Sequence, residues 1–184
     1  MTNFIDITNF NPKNGDKFLI DANVLLYLFY TAGKYKRDIV KKYSTFYANI
    51  IKNDCKILLP LNLLTEFSNR FYKLEYDEYL RINSYNCSQF SFKAYRQTKE
   101  FDNVKTEVID IFKLQIIPYA EKVDYNFTSK NIEELLTISD KIDFNDIIYY
   151  DIAKCYNVPI ITNDNDFKQI SDISIITQST YLLS

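Results

Sequence analysis

The 184-residue sequence has no histidine, no tryptophan and only two glycines, Gly15 and Gly33. Without histidine there can be no Ser/His/Asp triad, no Cys/His pair, no imidazole acid–base catalysis and no mixed Cys/His zinc site. With glycine confined to positions 15 and 33, neither a GxGxxG dinucleotide loop nor a P-loop can be built. Positive charge is not in surplus either. The 22 Lys and Arg face 24 Asp and Glu, so the net charge is −2 and any contact with nucleic acid has to be local. Cys55, Cys87 and Cys155 are odd in number and widely spaced, which suits buried reduced thiols better than a disulfide framework. The opening MTNFIDITNF has acids and amides where a signal peptide has basic and then apolar residues, and no apolar run reaches the roughly 18 residues of a membrane span. A cytoplasmic location with no membrane partner is expected.

What is present is a globular composition, 47% hydrophobic and 25% charged, sufficient for one sizeable core. Residues 1–16 combine Asn, Thr and Asp with Pro12 and Gly15 and read as an irregular lead-in to a domain over 17–184. Five short apolar runs follow: Phe18–Ile20, Ile57–Leu59, Leu114–Ile117, Pro159–Thr162 and Ile173–Ile176. Runs this brief look like strands buried on both faces. Between them lie helix-period segments at Asn23–Thr31, Arg37–Asn53, Asn62 to about Ile82, about Phe92–Lys113, Ser129–Ile138 and Phe144–Tyr156. Strands alternating with helices predict an α/β fold with a mainly parallel five-stranded sheet and right-handed crossovers. A helical insertion is expected around 73–113. Ser129 is placed to cap the helix that follows it, and Asp143 sits at an N-cap position with Asp146 three residues later.

The carboxylates carry the chemistry. Phe18-Leu19-Ile20-Asp21 is an apolar strand ending in an acid, and Pro159-Ile160-Ile161-Thr162-Asn163-Asp164 is another. In an open parallel sheet, ligands gather outside the carboxyl ends of the strands. Asp21 could equally be no more than a helix cap. Asp146 opens the helix that leads into the second of these strands, so it lies at the same edge. Glu66 borders the apolar face of Leu63, Leu64, Phe67 and Phe71 near the start of its helix, although a lone Glu there is commonly a solvated surface residue. Four converging carboxylates would repel one another and take up protons unless a cation neutralised them, and carboxylate oxygens suit Mg²⁺ or Mn²⁺. Such a cation can activate water and offset phosphate charge, which allows phosphodiester hydrolysis without histidine.

At these residues the sequence resembles the PIN domains, whose members include the VapC toxins of bacterial toxin–antitoxin pairs. The blocks FLIDANVLLYL, LPLNLLTEF and DFNDIIYYDIAKCYNVPIITNDNDF carry the resemblance, in that order along the chain. By the family pattern Asp21, Glu66, Asp146 and Asp164 match the acidic quartet, Asn23 matches the polar position two residues after the first acid, and Thr162 and Asp166 match the motif around the last. Asp143 competes with Asp146 for the third place; Ala153, seven residues after Asp146, aligns with Asp146 as that acid and leaves Asp143 as the cap. Asp166 would ligate a second cation or orient the other ligands. The resemblance implies a three-layer α/β/α sandwich, Mg²⁺ or Mn²⁺, and endonucleolytic cleavage of RNA. Small toxin members begin at the first strand and have a shorter middle, whereas here a 16-residue lead-in precedes it and 80 positions separate Glu66 from Asp146.

The expected function is therefore a metal-dependent endoribonuclease, with the toxin of a type II toxin–antitoxin pair as one setting. The alternatives are a PIN-like nuclease for structured RNA or DNA, and a catalytically silent PIN-like protein-binding module. Expected partners are the RNA substrate, a small antitoxin that covers the acidic pocket, and a second copy of the chain. Lys36, Arg37, Arg70 and Lys73 are candidate phosphate contacts; Arg70, one turn beyond Glu66, could instead pair with it. Gln89–Arg96 interleaves aromatic and basic residues, as a single-strand stacking platform would, although Phe90 and Phe92 could equally belong to the core.

Overall fold

The computed structural model of the protein describes residues 3–126, 133, 137 and 142–184. Its centre is a six-stranded sheet in which every pairing is parallel. In chain order the strands are β1 (Asn3–Asp6), β2 (Lys17–Ile20), β3 (Lys56–Pro60), β4 (Ala120–Val123), β5 (Ile160–Ile161) and β6 (Ser174–Thr177). The described helices are α1 (Ala22–Phe29), α2 (Arg37–Lys52), α3 (Leu61–Ile82), α4 (Phe92–Tyr95), α5 (Lys99–Asp110), α6 (Phe144–Tyr156) and α7 (Thr180–Leu183). They flank the sheet, as a three-layer α/β arrangement requires. Phe18, Leu19 and Ile20 of β2 are all buried, and so are Ile57, Leu58 and Leu59 of β3. A strand covered on both faces has no alternation to display, so a continuous apolar run is its signature.

The sheet order is β1-β6-β5-β2-β3-β4. From β2 the chain steps outward to β3 and β4, then returns to β2's other flank as β5 and continues to β6. Leu19 pairs with Leu58 on one side and with Ile160 on the other. The direction of winding therefore reverses between β2 and β5. At such a reversal the loops leaving the two strands part company and open a crevice at their carboxyl ends.

Two expectations about the strands are overturned. The lead-in is not irregular throughout: Asn3–Asp6 forms β1, in register with Ser174–Thr177 of β6, and gives the sheet a sixth strand. Its backbone is tied in at both ends, by Asn3 N–H to Ile173 O at 3.0 Å and Ile7 N–H to Thr177 O at 2.8 Å. Leu114–Ile117 is not a strand. It lies in a π-helical turn over Ile111–Ile116 that runs into a 3₁₀ turn at Ile117–Tyr119, with Leu114 exposed and Ile116 buried. Pro118, which lacks an amide N–H, closes the helical stretch, and β4 begins only at Ala120. A short apolar run cannot by itself separate a strand from a helix end.

The helix expected from Phe92 is broken after Tyr95 and restarts at Lys99, where the Thr98 hydroxyl accepts the Phe101 amide at 3.2 Å. The expected helix Ser129–Ile138 with its Ser129 cap lies outside the described residues, save positions 133 and 137. Around the far half of α3 the buried rings of Tyr76, Tyr95 and Phe101 form a small second core, against which Phe90 and Phe92 pack. The core alternative thus describes those two rings. Of the cysteines only Cys55 is buried; Cys87 and Cys155 are exposed, contrary to expectation.

The main core is pinned near β2 by three rings. Phe18, with no exposed surface, meets Phe46 edge-on at 5.7 Å between ring centroids and Phe10 at 5.8 Å. Phe18→Ala should lower stability by about 3–5 kcal/mol, because the cavity left among close-packed rings adds to the lost transfer energy. Urea unfolding followed by circular dichroism checks this; a loss below about 1 kcal/mol would mean that the site collapses around the smaller side chain.

Candidate active site

The crevice at the β2/β5 reversal is where the acids meet. Ile20 ends β2 and the next residue, Asp21, caps α1; its carboxylate Oδ1 accepts the Asn23 amide at 3.1 Å. The cap alternative is therefore true, but it is not the whole account. Asp21 is only 1% exposed, and its Oδ2 accepts the Thr162 hydroxyl at 2.7 Å and the Asn23 side-chain amide at 3.4 Å. Thr162 is the residue after β5, so this bond ties the two strand ends together. The same Thr162 oxygen accepts the Asp164 backbone amide at 2.9 Å, and the Asn23 side chain also donates to Asp164 Oδ2 at 3.3 Å. Asn23 and Thr162 thus hold the first and last acids at a set separation. Tyr43, buried in α2, braces this loop by donating to Thr162 O at 2.9 Å.

Above Asp21 opens a cavity of about 390 Å³ lined by Asn23, Glu66, Asn69, Arg70, Asp143, Asn145, Asp146, Asp164 and Asp166. Four elements supply these residues: the start of α1, the first half of α3, the start of α6 and the loop after β5. Glu66 points in from α3, where Arg70 donates to its Oε1 at 3.1 Å and Tyr149 of α6 donates to its Oε2 at 2.6 Å. Asp146 lies in the first turn of α6 and is 8% exposed. Asp143 is the N-cap of that helix, accepting the Asn145 amide at 2.9 Å, and it also lines the cavity. Capping therefore does not turn Asp143 away from the other acids. Asp166 lines the cavity from an exposed turn and donates its backbone amide to Asp164 Oδ1 at 3.0 Å.

Of the four candidate phosphate contacts, Arg70 lines the cavity. Lys36 and Arg37 are exposed at the start of α2 outside it, and Lys73 pairs with Asp77 at 3.0 Å. Tyr149, Asn69 and Asn145 are part of the site without having been singled out by the sequence. Tyr149 was discoverable in principle, because it lies three residues after Asp146 and so on the same helix face. That its hydroxyl reaches Glu66, 83 positions away, was not.

The electrostatics show charges without sufficient compensation. Burial raises the Asp146 carboxyl from 3.8 to about 8, with Asp21, Asp164, Glu66 and Asp143 pushing in the same direction. Burial likewise raises Asp21 to about 6, against the opposing bonds from Thr162 and Asn23. Burial and the neighbouring Glu66 keep the Tyr149 phenol well above its ordinary range, so that it stays protonated and able to donate to Glu66. Hard oxygen donors with too little positive charge near them are chemistry that suits Mg²⁺ or Mn²⁺. Among the described residues, however, no three acidic or sulfur side chains form a ready-made metal cage. Asp21 is engaged by Thr162 and Asn23, and Glu66 by Tyr149 and Arg70; the donor set fits in chemistry, with Glu66, Asp146 and Asp164 lining one space beside the buried Asp21 without already converging on a point.

No family profile and no curated protein matches the chain. Among solved structures, a chain of VapBC2 from Rickettsia felis, crystallised bound to a DNA fragment from their promoter, superposes with a TM-score of 0.55 at 17% identity. The match covers 88% of this chain and 98% of that one. PAE2754 from Pyrobaculum aerophilum gives a TM-score of 0.46 at 14% identity, over 91% of this chain and 88% of that one, a superposition too loose to build on. The first likeness shows the fold: the six-stranded parallel sheet with its flanking helices is PIN-like.

The raised carboxyls predict how the metal-free protein responds to pH. Over the range between 3.8 and about 8 the folded Asp146 keeps a proton that the unfolded chain has released, and Asp21 does the same up to about 6. The unfolded state is thereby favoured as pH rises, so the stability contributed below 3.8 is lost progressively until pH passes about 8. Asp146→Asn should flatten that slope and stabilise the chelator-treated protein at alkaline pH by a few kcal/mol, at about 1.4 kcal/mol per pKa unit, seen as a higher melting temperature. Asp143→Ala, measured at a pH where Asp146 is protonated, should instead lower stability by about 0.5–2 kcal/mol through the lost cap. Thermal melts across this pH range check both; a wild-type profile that rises with pH would refute the buried-acid reading.

Proposed function

We propose that this PIN-like chain is a metal-dependent endoribonuclease that hydrolyses RNA phosphodiester bonds, and that it is the toxin of a type II toxin–antitoxin pair. One observation carries the reading. Acids from three separate elements, α3, the start of α6 and the loop after β5, face a single cavity at the winding reversal of a PIN-like sheet, with Asp21 buried beside them, and Asp21 and Asp146 are held above the ordinary carboxyl range. Burial of uncompensated carboxylates destabilises a fold, and such a cluster in a cleft is the mark of a functional site. Asp21, Glu66, Asp146 and Asp164 are the proposed catalytic acids and, with Asp166, the proposed ligands of Mg²⁺ or Mn²⁺. Bound there, such a cation supplies charge to offset the phosphate and lowers the pKa of an attacking water.

The chain's own residues have distinct tasks in this reading. Thr162 and Asn23 hold Asp21 and Asp164 in place, so those acids need little reorganisation on binding. Asp146, protonated near neutrality in the metal-free state, releases its proton on loading. Arg70 is placed to meet a phosphate oxygen at the cavity wall, and the amides of Asn69 and Asn145 to bond ribose or phosphate oxygens. Lys36, Arg37 and Lys73, outside the cavity, are assigned to flanking phosphates. A small antitoxin would cover the acidic cavity, and the VapBC2 likeness supports a pairing of that kind. A silent protein-binding module is the second reading, favoured by the lack of a ready-made metal cage among the described residues.

Single-stranded RNA and DNA offered with Mg²⁺ or Mn²⁺ separate these readings. The RNA should be cut internally, EDTA should abolish cleavage, and Asp164→Asn should lower kcat by on the order of 100-fold or more with the fold intact. Cleavage that persists after verified removal of metal would eliminate the metal mechanism. No cleavage of either polymer would favour the silent module, and preference for DNA would move the substrate class.

A further inference from the structure

Glu66 differs from the other acids of the cavity in that both its carboxylate oxygens are taken by side chains, Oε1 by Arg70 at 3.1 Å and Oε2 by Tyr149 at 2.6 Å. The two donors come from different elements. Arg70 is one turn along the same helix, with its side chain 44% exposed, and is free to swing. Tyr149 belongs to α6, has no exposed surface, and cannot exchange its bond for one to water. Three residues before it on the same helix face is Asp146. The Tyr149 hydroxyl therefore ties the Glu66 carboxylate of α3 to the helix that carries Asp146.

Packing alone does not explain a tyrosine there. A phenylalanine would fill a fully buried position equally well and would avoid the desolvation of a hydroxyl, which is unfavourable unless the bond is made. A glutamate is flexible about three side-chain torsions, and freezing them is an entropic loss that any ligand recruiting it would otherwise bear. We propose that Tyr149 is a positioning residue, whose buried hydroxyl holds the Glu66 carboxylate ready beside Asp146 so that the cavity accepts a divalent cation with little rearrangement. The proposal rests on the nuclease reading above.

Calorimetric titration of Mn²⁺ into the metal-free wild type, Tyr149→Phe, Glu66→Ala and the double variant tests it, together with metal-free melting temperatures and cleavage kinetics. Tyr149→Phe should weaken Mn²⁺ binding roughly 10- to 100-fold, the usual effect of removing a partner that orients a ligand. It should lower kcat with little change in KM for RNA, and it should add no further loss of Mn²⁺ affinity once Glu66 is Ala. A tyrosine that only packs would lower the melting temperature while leaving Mn²⁺ affinity and kcat at wild-type values. That result, or additive losses in the double variant, overturns the proposal. Should Tyr149→Phe not fold, Glu66→Asp serves instead, since it keeps the charge but draws the carboxylate back from the hydroxyl. It should weaken Mn²⁺ binding comparably, and wild-type affinity in that variant is equally fatal. A wild-type protein that binds no Mn²⁺ sinks the nuclease reading itself, and the positioning role falls with it.

Discussion

Mutual repulsion among buried carboxylates is the constraint around which the rest of the structure is arranged. Asp21 and Asp146 are almost fully buried, Glu66 and Asp164 are near enough to raise both, and no histidine exists anywhere in the chain to share the charge. Such a cluster opposes folding at neutral pH unless the acids take up protons or meet a cation. It survives because the surrounding fold overdetermines the position of each acid. The strand ends are held by parallel ladders on both sides of β2, and the helix starts by caps whose acceptors are themselves site residues, Asp21 and Asp143.

The hydrogen bonds around the acids divide into two sets with different consequences. Thr162, Asn23 and the backbone amides of Asn23 and Asp166 approach Asp21 and Asp164 from the sheet side and fix them as part of the crevice floor. Tyr149 and Arg70 approach Glu66 from two helices, one buried and one half-exposed. The first set stabilises a geometry that the sheet already dictates. The second joins α3 to α6, which the strand pairing alone would leave independent of one another. Local stability and site geometry are therefore coupled: loosening the α3–α6 contact would move Glu66 relative to Asp146 while the floor stayed in place.

The long middle of the chain is accommodated away from this crevice. α3 runs for 22 residues, about 33 Å at 1.5 Å per residue, so that Glu66 lies near one end while the aromatic cluster of Tyr76, Tyr95 and Phe101 lies toward the other. That cluster gives α4 and α5 a core of their own. These helices can then extend the domain without disturbing the strands that carry the acids. Edge-on ring pairs such as Tyr95 and Phe101 at 5.4 Å supply much of its packing, which accounts for the aromatic richness of that stretch of sequence.

Much of the site was legible in the sequence because its signals are local. An apolar run that ends in an acid marks a buried strand leading to a strand-end carboxylate, and Asp21 and Asp164 follow that rule; Asp143 as a cap with Asp146 one turn on follows from helix-start chemistry. Helical angle placed Glu66 beside the apolar face of α3. What depended on partners distant in sequence was not legible. β1 is a strand only because Asn3–Asp6 finds β6 some 170 residues later, and Leu114–Ile117 lies in helical turns that a short apolar run does not by itself distinguish from a strand. By itself the sequence determined the parallel α/β class, the acids at the strand ends and the exclusion of histidine and glycine-loop chemistry, since each follows from residue type and short-range periodicity. Only the tertiary structure decided that β5 inserts beside β2, that Asp143 shares the cavity with Asp146, and that Tyr149 reaches Glu66, because strand order and helix-to-helix contact are set by packing between segments that carry no record of one another.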